Sequence, residues 1–572
     1  MTSTEHQDAR ARDDDPAMSV EGHGPPHHHR DSGPIGRLSS ALVELSMRRP
    51  RIVFLIAGVV TVLLGLAFVR VDIDTDPENM LASDAPIRVL NAEIRETFEA
   101  RDMVVLGLFG DDVLTDAKTL SAALELDAAI ADVDGVAADT MISPATAAAG
   151  PITSDADAVA IVDRVGDDPI LAGNVISADG DALAFFVPLD AKSDAVPVTD
   201  AVEALLDASP ELAGLDRHIA GLPLAQEAFG DQMFIQMGVF APLAGVAIFL
   251  LMLLFFRRFV LVGPAMLLAM VSVVWAMGLL IGTGNTLHIM SSMIPIFLMP
   301  IAILDAVHVI SEFFDRYGRL RDRATALRVV YDELAGPIAF TTITTVVGFF
   351  ALALTPIPPV RVFGIFVGIG VVIAWLGTLT ILPAVLMSVR PESIDRAVGD
   401  RAAGDGRFAG VVRALPLTAV RHRVPVIATA ALMAIVAVPL ITQVEVKDNP
   451  VNWYRSGHEV RVATERLNDE LPGTFGANLI LRADDPAVLV APETVDAVAA
   501  LQASWSEGEL VGASASYVDL VDGATGDAAT EALAVARASS PLAATLIDAD
   551  ATAANVRLQL RNGDNQAMQS VL

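Results

Sequence analysis

Seven apolar runs, at 52–69, 234–256, 259–281, 289–311, 335–355, 362–388 and 424–441, constrain this chain more than any other feature. An α-helix rises about 1.5 Å per residue, so each run has the length that crosses a hydrocarbon layer of roughly 30 Å. A mean hydropathy of +0.52 over 572 residues is too high for a soluble chain and fits several crossings. The linkers fix the direction. Arg48, Arg49 and Arg51 precede the first run, and Arg257 and Arg258 follow the second. Arg316, Arg319, Arg321, Arg323 and Arg328 follow the fourth, and Arg390, Arg396, Arg401, Arg407 and Arg413 follow the sixth. The alternate linkers 282–288 and 355–359 carry no formal charge. The positive-inside rule then predicts a multi-pass protein of the cell membrane with its N-terminus inside. Its two long polar segments, 71–231 and 444–572, are expected on the outer face.

The chain has no cysteine, which excludes disulfides, thiol catalysis and cysteine-bound metals. The formal charge is −32, and residues 71–231 alone hold 33 Asp and Glu against 7 Lys and Arg. Such a surface excludes nucleic acid as a partner, although it is equally what salt tolerance alone would produce. Lys118, Lys192 and Lys447 are the only lysines, and none closes a Walker A loop. No G-x-S-x-G elbow or H-E-x-x-H helix occurs, so no enzyme, cofactor or metal centre is expected. His27, His28 and His29 lie in a polar tail and read as disorder rather than as a metal site.

These signals give a fold class: a multi-span α-helical membrane protein with α+β external domains. The segments are a disordered cytosolic tail (1–47), a first span (48–70), an external domain (71–231), spans two to six (232–390), a cytosolic linker (391–422), a seventh span (423–443) and a second external domain (444–572). The second external domain repeats the first at an offset of 373: Pro77 with Pro450, Ser83 with Ser456, Arg88 with Arg461, and Asp111-Asp112 with Asp484-Asp485. The strand-like run 182–189 matches 555–562 at the same offset. A tandem duplication explains one register held that long, a plan common among transporters. Each copy is expected to hold βαβ-type units. On this reading the second half is incomplete, as in a fragment or truncated frame about 190 residues or more short of its parent.

One residue stands out within the spans. Asp305 sits in the fourth apolar run, where a carboxylate costs at least ~2.5 kcal/mol. His308 and Glu312 follow at helical spacing on the same face, which reads as a proton relay of Asp305 and His308, with Glu312 solvated at the cytosolic edge. The plainer reading is an Asp held in helix packing by hydrogen bonds. On the fifth run Thr341, Thr344 and Thr345 stand at i, i+3 and i+4. They either support the neutral acid or serve ordinary packing. Gly336 and Gly348 read as points of close helix approach. Asp72, Asp74 and Asp76 read as shaping the turn that leaves the first span rather than as cation ligands.

With its twofold repeat, its large domain after the first span and an Asp in the fourth, the chain resembles the RND superfamily. More narrowly it is similar to the MMPL-type exporters, which share the sterol-sensing-domain bundle of Patched-like proteins. The resemblance rests on 72–77, on Leu304-Asp305-Ala306-Val307-His308, on the run from Gly336-Pro337 through Thr341 and Thr345 to Gly348, and on 359–364. It covers nearly all of 45–572. It implies that Asp305 relays protons, with the proton as coupling ion, and that membrane lipids or another hydrophobic substrate are the partners. Homo-oligomerisation stays open. The family often places Tyr directly after this Asp; here the position is Ala306, so His308 or water would take that part. Two other readings stand beside the exporter: a sterol- or hopanoid-type lipid sensor or shuttle without proton coupling, and a non-transporting fragment.

Overall fold

The computed structural model describes residues 34–569 apart from 75, 111–116, 148–153, 168–170, 172–173, 178–179, 257, 397–406, 445–448, 507 and 540. His27, His28, His29, Asp111, Asp112, Arg257, Arg401 and Lys447 therefore lie outside the described residues. Helix α1 (Pro34–Arg48) precedes the first long apolar helix, α2 (Pro50–Leu66). A first α+β unit follows: α3 (Pro86–Thr97), β1 (Met103–Phe109), α4 (Ala117–Ala131), α5 (Asp155–Asp167), β2 (Ala182–Pro188), α6 (Ala195–Asp207) and β3 (Asp216–Ala220). Next come α7 (Leu222–Phe256), α8 (Phe259–Gly282), α9 (Ile294–Leu320), α10 (Arg323–Ala351), α11 (Pro358–Ser388), α12 (Arg407–Arg421) and α13 (Arg423–Ile441). The second α+β unit holds α14 (Glu459–Glu470), β4 (Phe475–Arg482), α15 (Pro492–Ser506), β5 (Val511–Ala515), α16 (Gly526–Ser539) and β6 (Ala553–Leu560).

Seven helices among the described residues are long and apolar enough to cross a membrane: α2, α7, α8, α9, α10, α11 and α13. They coincide with the seven apolar runs. Helices α8, α9 and α11 make the centre, where Leu268, Ala276, Leu298, Ala302, Val367 and Val371 are buried in one cluster. Small residues let the backbones approach. A Cβ on Gly278 of α8 would lie 2.5 Å from the carbonyl oxygen of Leu64 on α2. No residue of α13 is buried.

Three boundaries differ from the sequence reading. Residues 34–47, read as disordered tail, lie in a helix. Val43 and Met47, one turn apart, are buried against the bundle, where α1 meets α10 and α11. Arg328 of α10 holds Glu44 through two hydrogen bonds of 3.0 and 3.1 Å, and Arg48 adds one of 2.8 Å. Those bonds lower the Glu44 carboxyl to about 2. The Arg-rich linker after the fourth span is also helical. Only Arg321 and Asp322 separate α9 from α10. Arg321 takes the left-handed conformation at φ 56°, and Asp322 caps α10 by accepting from the Thr325 N–H at 2.8 Å. Finally, α7 starts at Leu222, well before its apolar run, and so joins the first α+β unit to the bundle as one rod.

Each α+β unit carries a three-stranded sheet, in the orders β2-β1-β3 and β4-β6-β5, with every pairing antiparallel. Strands β2 and β3, joined through α6, run parallel on either side of β1; β4 and β5, joined through α15, run parallel on either side of β6, which by the offset corresponds to the edge strand β2, so the central strands of the two sheets are not counterparts. The βαβ-type units expected from sequence are thus split by an antiparallel strand. The 3-10 turns Pro77–Met80 and Pro450–Trp453 start at the offset read from the sequence, and so do α3 and α14. At that spacing the pair Met103↔Pro188 would become 476↔561; the observed pair is Gly476↔Gln559, a register shift of two. The units pack on one another, since Ala463, Leu467 and Leu471 of α14 are buried in the first unit's core.

Candidate functional site: a carboxylate on a membrane helix

Helix α9 is amphipathic around an unusual residue. Leu298, Ala302, Ala306, Val309 and Phe313 recur every three or four positions and are buried. The opposite face carries Leu304, which is 59% exposed, the half-buried Asp305 and the exposed His308. His308 lies near enough to Asp305 for the two to interact electrostatically, and no described residue hydrogen-bonds the carboxyl.

The supporting hydroxyls are committed elsewhere. Thr341 donates to the Ile338 carbonyl at 2.8 Å, Thr344 to that of Thr341 at 2.9 Å, and Thr345 to that of Thr341 at 2.8 Å. All three bonds close on α10 itself. A Cβ on Gly336 or Gly348 would meet nothing within 4 Å, so neither is a point of close approach within this chain. Glu312 is paired with Arg316 at 2.7 Å, and Arg316 reaches Glu333 at 2.6 Å, so Glu312 belongs to the Arg-rich helix ends.

The sequence reading passed over Thr342. The helix phase turns this residue inward while its neighbours face out. It is 6% exposed, and its hydroxyl has no hydrogen-bond partner; nor does the Trp375 indole N–H of α11. Both residues line a cavity of about 280 Å³ with otherwise apolar walls, among them Ile343, Val346 and Val372. The one signal for it was the phase within Thr341-Thr342-Ile343-Thr344-Thr345.

At its opposite end α9 is reached through a clasp. Ile73, just after α2, bridges Leu287, just before α9, in parallel: Leu287 N–H donates to the Asp72 carbonyl at 2.7 Å and Asp74 N–H to the Leu287 carbonyl at 3.0 Å. His288 stands 3.4 Å from Asp74. Asp74 accepts both from Asn79 and from the Asp76 N–H, and Asp76 pairs with Lys192 of the first unit at 2.7 Å. These acids therefore shape the turn. Burial acts to raise the Asp76 carboxyl, but the Lys192 ammonium and the Glu78 N–H outweigh it and hold the group below the usual range.

Seven helices of crossing length among the described residues, an Arg-rich end and a carboxylate, Asp305, within the apolar part of the fourth define a multi-pass membrane protein. The profile of the MMPL family matches residues 80–419, more than half of the chain, and the chain belongs to that family, whose proteins are membrane transporters of the RND type rather than enzymes. A membrane protein of Methanocaldococcus jannaschii is 25% identical over 368 residues, which cover 60% of this chain and 92% of that protein. A membrane protein of Streptomyces coelicolor is 24% identical over 415 residues, 71% of this chain and 48% of that protein. The chain thus spans about half the length of the Streptomyces relative.

Proposed function

We propose that this protein exports lipids or other hydrophobic and amphiphilic compounds across the cell membrane, driven by protons, with both α+β units outside. The observation that carries the reading is Asp305: a carboxyl on a membrane helix, half-buried, beside His308 and with no hydrogen bond to any described residue. A group so placed is free to exchange a proton whenever water reaches it, and burial favours the neutral acid once water leaves. The sequence has no Walker A loop, so work on a substrate would draw on an ion gradient or on another protein. One proton moving down 100 mV releases about 2.3 kcal/mol.

A duplication of the span and α+β unit goes with this reading. It is supported by the turns and helices that recur at one constant offset and by the matching antiparallel pairs β1–β2 and β4–β6.

The test is efflux of a fluorescent lipid from proteoliposomes with an imposed pH gradient. Asp305→Asn is nearly isosteric and should preserve expression and melting temperature while stopping transport. His308→Ala should slow transport and shift its pH dependence. Wild-type transport by Asp305→Asn at wild-type expression would remove the proton relay. The cavity beside Thr342 and Trp375 favours a second reading, a lipid sensor or shuttle without proton coupling, because its apolar walls suit a lipid chain. Transport that persists without a gradient and fails in Thr342→Val would select it.

A further inference from the structure

Helix α12 is the counterpart of α1. Pro34–Arg48 and Arg407–Arg421 stand at the repeat offset of 373, and so do the residues that follow them. Arg49 after α1 (φ −131°, ψ 56°) and His422 after α12 (φ −109°, ψ 35°) both leave the helical region. In each copy a bend thus separates a short helix from the apolar helix behind it. The two short helices meet different surroundings. On α1, Ser39, Val43, Ser46 and Met47 are buried where the helix meets α10 and α11. On α12, every residue from Ala414 to Arg421 is exposed, with Leu415 at 62% and Leu417 and Val420 at 73%.

Charge separates the two helices further. Glu44 is the acid of α1, and Arg328 of α10 clasps it. Leu417 takes its place on α12. From 406 to 444 the sequence has no Asp or Glu, yet it carries Arg407, Arg413, Arg421, His422 and Arg423. Among the described residues no acid pairs with Arg421 or Arg423. The end of α10 on which α1 lands carries Arg323 and Arg328, so a surface of that kind would repel α12. By helical spacing Phe408, Val411, Val412 and Leu415 share one face of α12, with Arg413 and Arg421 on the other. An apolar stripe backed by arginine, next to the start of a helix of crossing length, suits the head-group layer of a negatively charged leaflet.

We propose that α12 docks on anionic phospholipid. It lies in the membrane plane at the Arg-rich end of the protein, with the stripe that holds Leu415 toward the acyl chains and Arg413, Arg421 and Arg423 at the phosphates. The first copy thus fixes its short helix by protein and the second by lipid. This docking needs neither Asp305 nor a gradient, and it stands whether or not the protein exports.

The experiment exploits the absence of cysteine from the chain. A nitroxide is attached to Leu415→Cys or, on the opposite face, to Leu417→Cys. The whole chain is then placed in nanodiscs of phosphatidylcholine, with or without phosphatidylglycerol. Oxygen, which concentrates among acyl chains, and a nickel chelate, which stays in water, each relax the label. With phosphatidylglycerol present, the label at 415 should respond mainly to oxygen and the label at 417 mainly to nickel. In phosphatidylcholine alone the oxygen-to-nickel ratio at 415 should fall about threefold or more, because each arginine near an anionic surface strengthens binding about fivefold. Combining Arg413→Gln, Arg421→Gln and Arg423→Gln should produce the same fall in discs that contain phosphatidylglycerol. The comparison of lipids uses no charge variant, so it decides the matter even if that triple variant fails to fold. A ratio at 415 that ignores the charge of the lipid, or nickel favoured at both positions beside phosphatidylglycerol, would overturn the proposal. So would shielding of position 415 from both relaxants, the mark of a helix docked on a second copy of the protein.

Discussion

Helices α3 and α14 begin at equivalent positions of the two copies and put apolar residues at the same places, Ile94 with Leu467 and Phe98 with Leu471. Their fates differ. On α14, Ala463 and Leu467 are 1% and 0% exposed, because the helix lies on β3 and its leucine fits over Gly107, where a Cβ would come within 2.5 Å of Leu467 Cδ2. On α3, Leu90, the counterpart of Ala463, is 39% exposed, and Ile94 forms a wall of a cavity between the two units. The contact of α3 with the second unit includes an ion pair, Glu93 with Arg482 at 2.9 Å. An amphipathic pattern specifies that one face is buried; the surface on which the helix lands decides how deeply. Here one copy closes a core and the other borders a cleft.

Truncations should expose that difference most strongly. Leu467→Ala removes a fully buried side chain and should cost about 4 kcal/mol, whereas Ile94→Ala, 8% exposed and beside a cavity, should cost about 2 kcal/mol. Urea unfolding followed by the fluorescence of Trp453 and Trp505 measures both, and equal costs would break the contrast between the two helices. The caps of the preceding turns sharpen it. Asp76 accepts from the Glu78 N–H at 2.9 Å and Asn449 from the Val451 N–H at 3.0 Å, so the two copies make one cap with and without a charge. Asn449 is 7% exposed, and Asn449→Asp should cost about 2 kcal/mol at pH 7, shrinking toward pH 5 as the new carboxyl protonates. Asp76→Asn should keep the cap, lose the Lys192 pair and cost about 1 kcal/mol or less. Its pH dependence has the same sign but lies in a lower window. The folded Asp76 pKa is depressed, so the wild-type advantage is full above the ordinary aspartate value of about 3.9 and fades as pH falls through the lower folded value. Penalties that fade over one and the same pH window in the two variants would mean that the caps do not differ by charge.

The seven helices were legible because hydropathy over about 20 residues is a local property. The element spacing was legible because a repeat needs only one register. What escaped was non-local or lay at the edge of a window. Helix α1 reads as tail because its apolar residues are few and interleaved with polar ones, and the helices that bury Val43 and Met47, α10 and α11, come much later in the chain. The α9–α10 junction reads as a loop because arginines lower hydropathy without ending a helix. Asp305 and His308 were found by charge in an apolar run, and their shared face follows from spacing alone. The threonines failed by phase: three outward residues were named, and the inward one, Thr342, was not. The row Asn555, Arg557 and Gln559 shows a strand's alternation in sequence, but that it borders a cavity emerges only once the first unit stands opposite.

The clasp at Ile73 and Leu287 restricts how α9 is able to move. Sliding the helix along its axis by one residue, about 1.5 Å, would strain the two backbone bonds that tie its outer end to the segment following α2. Through Asp76 and Lys192 the same segment is fastened to the first α+β unit. Translation of α9 would therefore drag α2 and that unit with it, whereas tilting about the clasp leaves every one of these bonds intact. The low-cost degree of freedom is a pivot at the outer end, with an amplitude that grows along the helix from Asp305 to the Arg-rich turn.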